Sequence, residues 1–291
     1  MGAVPSPLDL LALPFMRTAL VELALLAVAG GVLGVWIVLR RLAFFTHAAG
    51  AVAFPALVVA GPIGVSSQLA GLAAGLGYAA GVGGAGRAGR DSSAATGLLL
   101  VASLALGVVL ASDVVRAPAG VDLLLFGTLL GLDGADVAAS AVAAALALVA
   151  TLVVGRAWLA TAFDAAGARA LRLPVGRLDA VLLALVATAA VAAVPAVGAL
   201  LVTSLFIVPA AAARLITGSV GALFAASVGL AAVQGLVGLY AAYALDVSPG
   251  PAIAVVGTGL YACAALAGRS RGGATARAAA PPVLHARGRA R

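Results

Sequence analysis

His47 is the only histidine outside the last few residues of the chain, and it sits in Val38-Leu-Arg-Arg-Leu-Ala-Phe-Phe-Thr-His-Ala-Ala-Gly-Ala-Val-Ala-Phe-Pro55, just inside an apolar run behind two arginines. Taking an ionisable ring into lipid costs a few kcal/mol unless it faces the bundle interior, a cavity or a partner, so such a residue marks a candidate site. Three roles fit the imidazole: a transient metal ligand, a pH-sensitive gate, or a hydrogen-bonded packing residue near a helix start. Glu22 is the second candidate, because a carboxylate one turn beyond Thr18 in the first apolar run needs water or a partner. The two fall toward opposite ends of their segments, which argues against direct contact. Asp133, Asp136 and Asp246 lie at loop edges, where hydration or helix capping accounts for them.

Much chemistry is missing. All seventeen basic residues are arginine, so no Gly-x-x-x-x-Gly-Lys-Ser/Thr loop exists to cradle nucleotide phosphates. There is no His-Glu-x-x-His, no Gly-x-Ser-x-Gly elbow and no paired cysteine site, Cys263 being alone. The sparse polar inventory argues against an enzyme.

These residues are positioned by membrane helices. With 64% hydrophobic and 9% charged residues the chain is not a soluble globule, whose charged fraction is usually about 25%. A hydrocarbon core of about 30 Å needs roughly 20 apolar residues per crossing. Runs of that kind begin near Thr18, Phe44, Val65, Ala95, Ala135, Leu178, Val197, Val220 and Pro251, so the expected fold is an all-α polytopic bundle of about eight to nine crossings. The first run is too long for a signal-peptide core and is expected to stay in the mature protein. Asp122 to Leu132 is too short to span and reads as a partial or re-entrant segment. Gly30 and Gly34, Gly71 and Gly75, and Gly127 and Gly131 have the spacing that lets helix backbones approach closely.

If alternate loops are cytoplasmic starting after the first helix, that side receives Arg40, Arg41, Arg87, Arg90, Arg156, Arg169, Arg172, Arg177, Arg214 and the basic tail, and the other keeps Arg17 and Arg116. The positive-inside rule then places the N-terminus outside and the C-terminus inside. The net charge of +7 owes much to six arginines after residue 268, and such a tail reports orientation rather than nucleic-acid binding. We divide the chain into a transmembrane domain over 1–267 and a basic tail over 268–291, whose Gly/Ala/Arg-rich composition predicts disorder.

The longest polar interruption runs from Arg156 to Asp179. Within it, Phe163 to Pro174 reads as a short helix with Asp164 as N-cap, Pro174 as its end, and Arg169 and Arg172 complementing its dipole. Four blocks in this order and spacing carry a resemblance that runs through nearly the whole chain. They are Phe15-Met-Arg-Thr-Ala19 with the Gly34 to Leu42 arginine pair, Asp122 to Leu132 around Leu-Phe-Gly, Phe163 to Pro174, and Val197 to Arg214 ending in Pro-Ala-Ala-Ala-Ala-Arg. Ser248-Pro249-Gly250-Pro251 adds a fifth point.

In these features the chain resembles the permease subunit of the ABC-3 family, BtuC-like importers of zinc, manganese or iron across the cell membrane. The resemblance implies a homodimeric channel in the lipid bilayer, a separate cytoplasmic ABC ATPase and an extracytoplasmic metal-binding protein. It makes the chain a non-enzymatic subunit with no tightly bound cofactor. It also implies that Phe163, Asp164, Arg169, Leu171 and Leu173 belong to a coupling helix over residues 163–173. Pro55 and Pro209, inside apolar runs, are separate candidates for structural or gating roles. The family usually reads Gly-Asp-Ala-x-Ser-His after the double arginine; here His47 stands at the aspartate, Gly50 at the serine and Ala51 at the histidine. One imidazole replaces a carboxylate and imidazole pair one turn apart, so the pathway is legible and the ion is not. The alternative is a stand-alone secondary transporter of a small solute or chelated metal, which would need paired interrupted helices in two repeated halves.

Overall fold

The computed structural model describes residues 13–87, 92–114, 123–129 and 131–278. Asp122, Arg90 and the tail from residue 279 onward lie outside the described residues. The helices are α1 (Pro14–Leu39), α2 (Ala43–Ala60), α3 (Ser67–Arg87), α4 (Ser92–Val109), α5 (Gly134–Phe163), α6 (Ala165–Ala170), α7 (Val175–Val197), α8 (Val202–Ile216), α9 (Val220–Leu245) and α10 (Pro249–Ala278). A single π turn, Leu110–Val114, continues α4. The last helix runs through the boundary placed at residue 267, although its apolar span ends at Gly268.

Eight of these helices are long and apolar enough to cross a membrane. The ninth expected crossing is α8, and its 15 residues rise only about 22 Å, short of the hydrocarbon thickness. The reason lies just before it. Gly198 takes a left-handed φ of 91° after α7 and breaks the helix, so α8 starts inside the bundle. Pro195 stays within α7.

The central layer is α1 and α7, the two most buried spans, surrounded by more exposed crossings. α1 packs on α5, α8 and α9, whereas α7 packs on α2, α3 and α5. Small residues set these distances. A Cβ on Gly31 would stand 2.6 Å from the Val228 Cα of α9, and there Ser227 Oγ donates to the Gly31 carbonyl at 2.7 Å. Gly71 and Gly75 both seat against Val191 of α7. Gly127 and Gly131 do not form a helix-packing pair, because Gly127 has a φ of 75° and ends a short helical turn.

α5 starts on a capping box. The Asp133 side chain accepts from the amides of Ala135 and Asp136 at 2.8 and 2.9 Å, and the Asp136 side chain accepts from the Asp133 amide at 3.1 Å. This satisfies amides that no helical carbonyl can reach. Asp133→Ala is expected to cost about 1 kcal/mol and lower the thermal midpoint of the detergent-purified protein by a few degrees. An unchanged midpoint would assign the cap no energetic role.

Candidate functional site

The re-entrant segment and the α7–α8 break meet inside the bundle. Their backbones pair: Ala199 N–H donates to Leu124 O at 2.9 Å, Leu200 N–H to Leu125 O at 3.3 Å, and Thr128 N–H to Pro195 O at 2.9 Å. Irregular backbone inside a membrane protein survives only where protein or water satisfies its polar groups, and here each broken segment satisfies the other. Gly127 and Gly198 make the approach possible, and Gly250 at the start of α10 closes on Val197 O.

α2 borders this junction. A Cβ on Gly50 would stand 2.9 Å from Ala199 O, so the α2 backbone lies directly against the broken segment. His47 is three residues earlier and therefore on a neighbouring part of the same helix face. It is half-buried, and among the described residues its ring makes no hydrogen bond. Ala51 is fully buried. The small residues at 50 and 51 thus allow close packing where the family pattern carries serine and histidine. No group of three or more His, Cys, Asp or Glu able to hold a metal occurs among the described residues.

Glu22 lies elsewhere. It is buried in α1, accepts from Ser140 Oγ of α5 at 2.5 Å, and leaves Oε2 without a hydrogen-bond partner. Asp136, one turn before Ser140, accepts from Gln68 Nε2 at 2.9 Å. About 26 Å of α1 separates Glu22 from Leu39, whereas His47 is in the second turn after the Arg40–Leu42 link. The structure therefore does not bring the two candidates together. Pro55 lies buried inside α2 and Pro209 buried inside α8.

The short α6 projects between α5 and α7. Asp164 caps it as the sequence predicts, accepting from the amides of Ala166 and Gly167 at 3.1 and 2.8 Å. The helix is shorter than expected and ends at Ala170, because Arg172 turns into the left-handed region at φ 59° and Pro174 caps the next helix instead. Phe163 and Leu171 are 76% and 75% exposed, and Arg169 is exposed, whereas Leu173 packs inward on the core.

The stems of α6 are held from behind. Arg40, at the end of α1, bonds both Thr161 on α5 and Asp179 on α7. Trp158 Nε1 donates across the same gap to Leu178 O at 2.9 Å, and Trp36 packs edge-on against Trp158 with ring centroids 5.3 Å apart. The sequence offered the arginine pair as a signal but no way to find Thr161 and Asp179, which lie 121 and 139 residues further on.

Comparison with known proteins places this architecture. The profile of the ABC 3 transport family matches residues 12–268. The manganese transport system membrane protein MntC of Halalkalibacterium halodurans is 29% identical over 259 residues, covering 88% of each chain. The manganese import system permease protein ScaB of Streptococcus gordonii is 26% identical over 242 residues, covering 82% of this chain and 86% of the relative. Among solved structures, PsaBC from Streptococcus pneumoniae in complex with Fab has the same fold, with a TM-score of 0.79 at 24% identity over 88% of this chain and 92% of that one. Sequence and fold agree over the same span, and this multi-pass membrane protein belongs to the ABC 3 transport family.

Proposed function

We propose that the chain is the permease subunit of an ABC importer that moves a divalent metal ion, with manganese the first candidate. The observation that carries this reading is the family match across residues 12–268, together with relatives named for manganese transport. The chain supplies no phosphate-binding lysine loop, so the energy comes from a separate ATPase. In this reading α6 is the coupling element, and movement of the ATPase pair pushes it to switch access to the pathway. Two copies form the channel, with the arginine-rich face cytoplasmic, the N-terminus outside and an extracytoplasmic protein delivering the ion. Residues 1–267 make the transmembrane domain, and the residues beyond form a basic tail.

His47 is the pathway ligand in this scheme. It stands on the α2 face that carries Gly50 against the broken-helix junction, where unwound backbone can serve a passing ion. One imidazole supplies a single ligand, so the ion is held transiently and keeps water or takes ligands from the second copy. Glu22 belongs to the opposite end and acts there as a separate carboxylate on the route. Cells carrying the chain with its ATPase are expected to accumulate manganese, and His47→Ala to reduce uptake by about tenfold or more. Zinc and iron measured in parallel identify the ion. Uptake unchanged by His47→Ala for every metal would sink the ligand role, and no uptake by the wild type would remove metal as the cargo. Solute uptake without any ATPase would favour a stand-alone transporter.

A further inference from the structure

A cavity of about 530 Å³ opens between α2, α3, α4 and α7 beside α6. Arg40, Arg41, Arg169, Asp179, Ser93 and Thr96 give it a polar wall, and Phe44, Val82 and Leu183 stand on its apolar side. Among the described residues that line it, the only carboxylate is that of Asp179, which is already paired with Arg40. Arg41 and Arg169 have no carboxylate partner among the described residues.

We propose that this cavity binds the phosphate headgroup of an anionic membrane phospholipid. Four features point to that occupant. The cavity lies where α1 and α3 end and α2, α4 and α7 begin, which is the depth of the headgroup layer for helices of this length. Basic pockets between transmembrane helices at that depth attract anionic headgroups. The wall changes from guanidinium to aromatic and aliphatic, matching a lipid that is charged at one end and apolar at the other. Beyond Phe44, whose ring would meet a Cβ on Gly97 at 3.5 Å, α4 exposes Leu98 and Val101 as a surface for acyl chains.

Backbone geometry supports the same site. Arg41 holds a φ of 56°, a conformation that costs a residue with a side chain about 1–2 kcal/mol. Strain of this sort persists where the surroundings over-determine it, often at binding sites. Here it allows adjacent arginines to divide their roles: Arg40 ties the α6 stems, and Arg41 is left to the cavity. Because Arg169 comes from α6, a bound headgroup would join membrane charge to the position of that segment. The inference rests on membrane placement and not on the identity of the transported ion.

The test is native mass spectrometry of the full chain in detergent with phosphatidylglycerol or phosphatidylcholine at equal mole fraction. Phosphatidylglycerol is expected to stay bound and phosphatidylcholine to dissociate. The double variant Arg41→Gln and Arg169→Gln should bind phosphatidylglycerol about thirtyfold more weakly, whereas Arg41→Lys with Arg169→Lys should keep most of the binding. Equal retention of the two lipids, or full retention by the glutamine variant, overturns the proposal. Displacement of the lipid by millimolar inorganic phosphate overturns it in favour of a small phosphate anion. If the glutamine variant does not fold, the contrast between the two lipids on the wild type decides the question.

Discussion

Gly198→Ala is expected to destabilise the protein by about 2–6 kcal/mol, enough to remove most of the monodisperse material recovered in detergent. Two independent costs add. At φ 91° and ψ 149° the backbone of Gly198 occupies a region that residues with a Cβ rarely adopt, a strain of about 1–3 kcal/mol. The new Cβ would also fall 2.6 Å from the Gly127 amide nitrogen and closer still to the Leu125 carbonyl oxygen. Those are backbone atoms of a hydrogen-bonded segment, so they cannot turn aside as a flexible side chain would. Overpacking of this kind costs about 1–3 kcal/mol. Gly229→Ala in α9 is the matched control, since a Cβ there meets nothing within 4 Å and a helix interior gains from alanine. The measurement is thermal unfolding of both variants beside the wild type. A wild-type midpoint for Gly198→Ala would refute the account of the junction.

The second large effect concerns α6. Phe163→Asp combined with Leu171→Asp is expected to abolish capture of the ATPase and to reduce transport by more than about a hundredfold, while leaving the permease folded. If α6 docks on the ATPase as proposed, these two exposed apolar side chains would be buried there, and losing both at about 2 kcal/mol each removes about 4 kcal/mol of binding. The fold should tolerate both changes, because each side chain is at least three-quarters exposed. Co-purification with the ATPase reports association, and the thermal midpoint of the permease alone reports folding. Retained co-purification would exclude this face as the docking surface. A lowered midpoint would instead show that Phe163 and Leu171 support the fold itself.

Much of the architecture could be read in advance because membrane insertion imposes simple rules. Long apolar runs and the Asp164 cap act within one element, so their consequences appear locally in the sequence. Separate apolar runs beginning near Leu178 and Val197 mark two elements here, and the structure places the break at Gly198. The shortness of α8 was not foreseen. It follows from a backbone dipping into the bundle, which is affordable only because Leu124 and Leu125 offer carbonyls to Ala199 and Leu200.

The candidate site was legible to a lesser degree. His47 stands out in the chain because it is an isolated imidazole in an apolar helix. Ala199, which lies against Gly50 three residues further along the same helix, carries no chemical signal at all. Glu22 was equally visible, but its partner Ser140 lies 118 residues away. Arg40 looked like one of a pair marking the membrane surface, and the fold makes it the clasp between α5 and α7.

By itself the sequence determined that this is an all-α membrane protein, where its eight long crossings fall, and that no lysine-bearing phosphate loop lies within the chain. Hydrophobic length and residue type fix those properties, and both act locally. Only the tertiary structure decided which polar groups meet, where Gly127 and Gly198 let two broken segments share their hydrogen bonds, and which arginines remain beside a cavity. Those outcomes depend on approach between segments tens to hundreds of residues apart, and in a lipid core every such approach is selected by the need to satisfy buried polar groups.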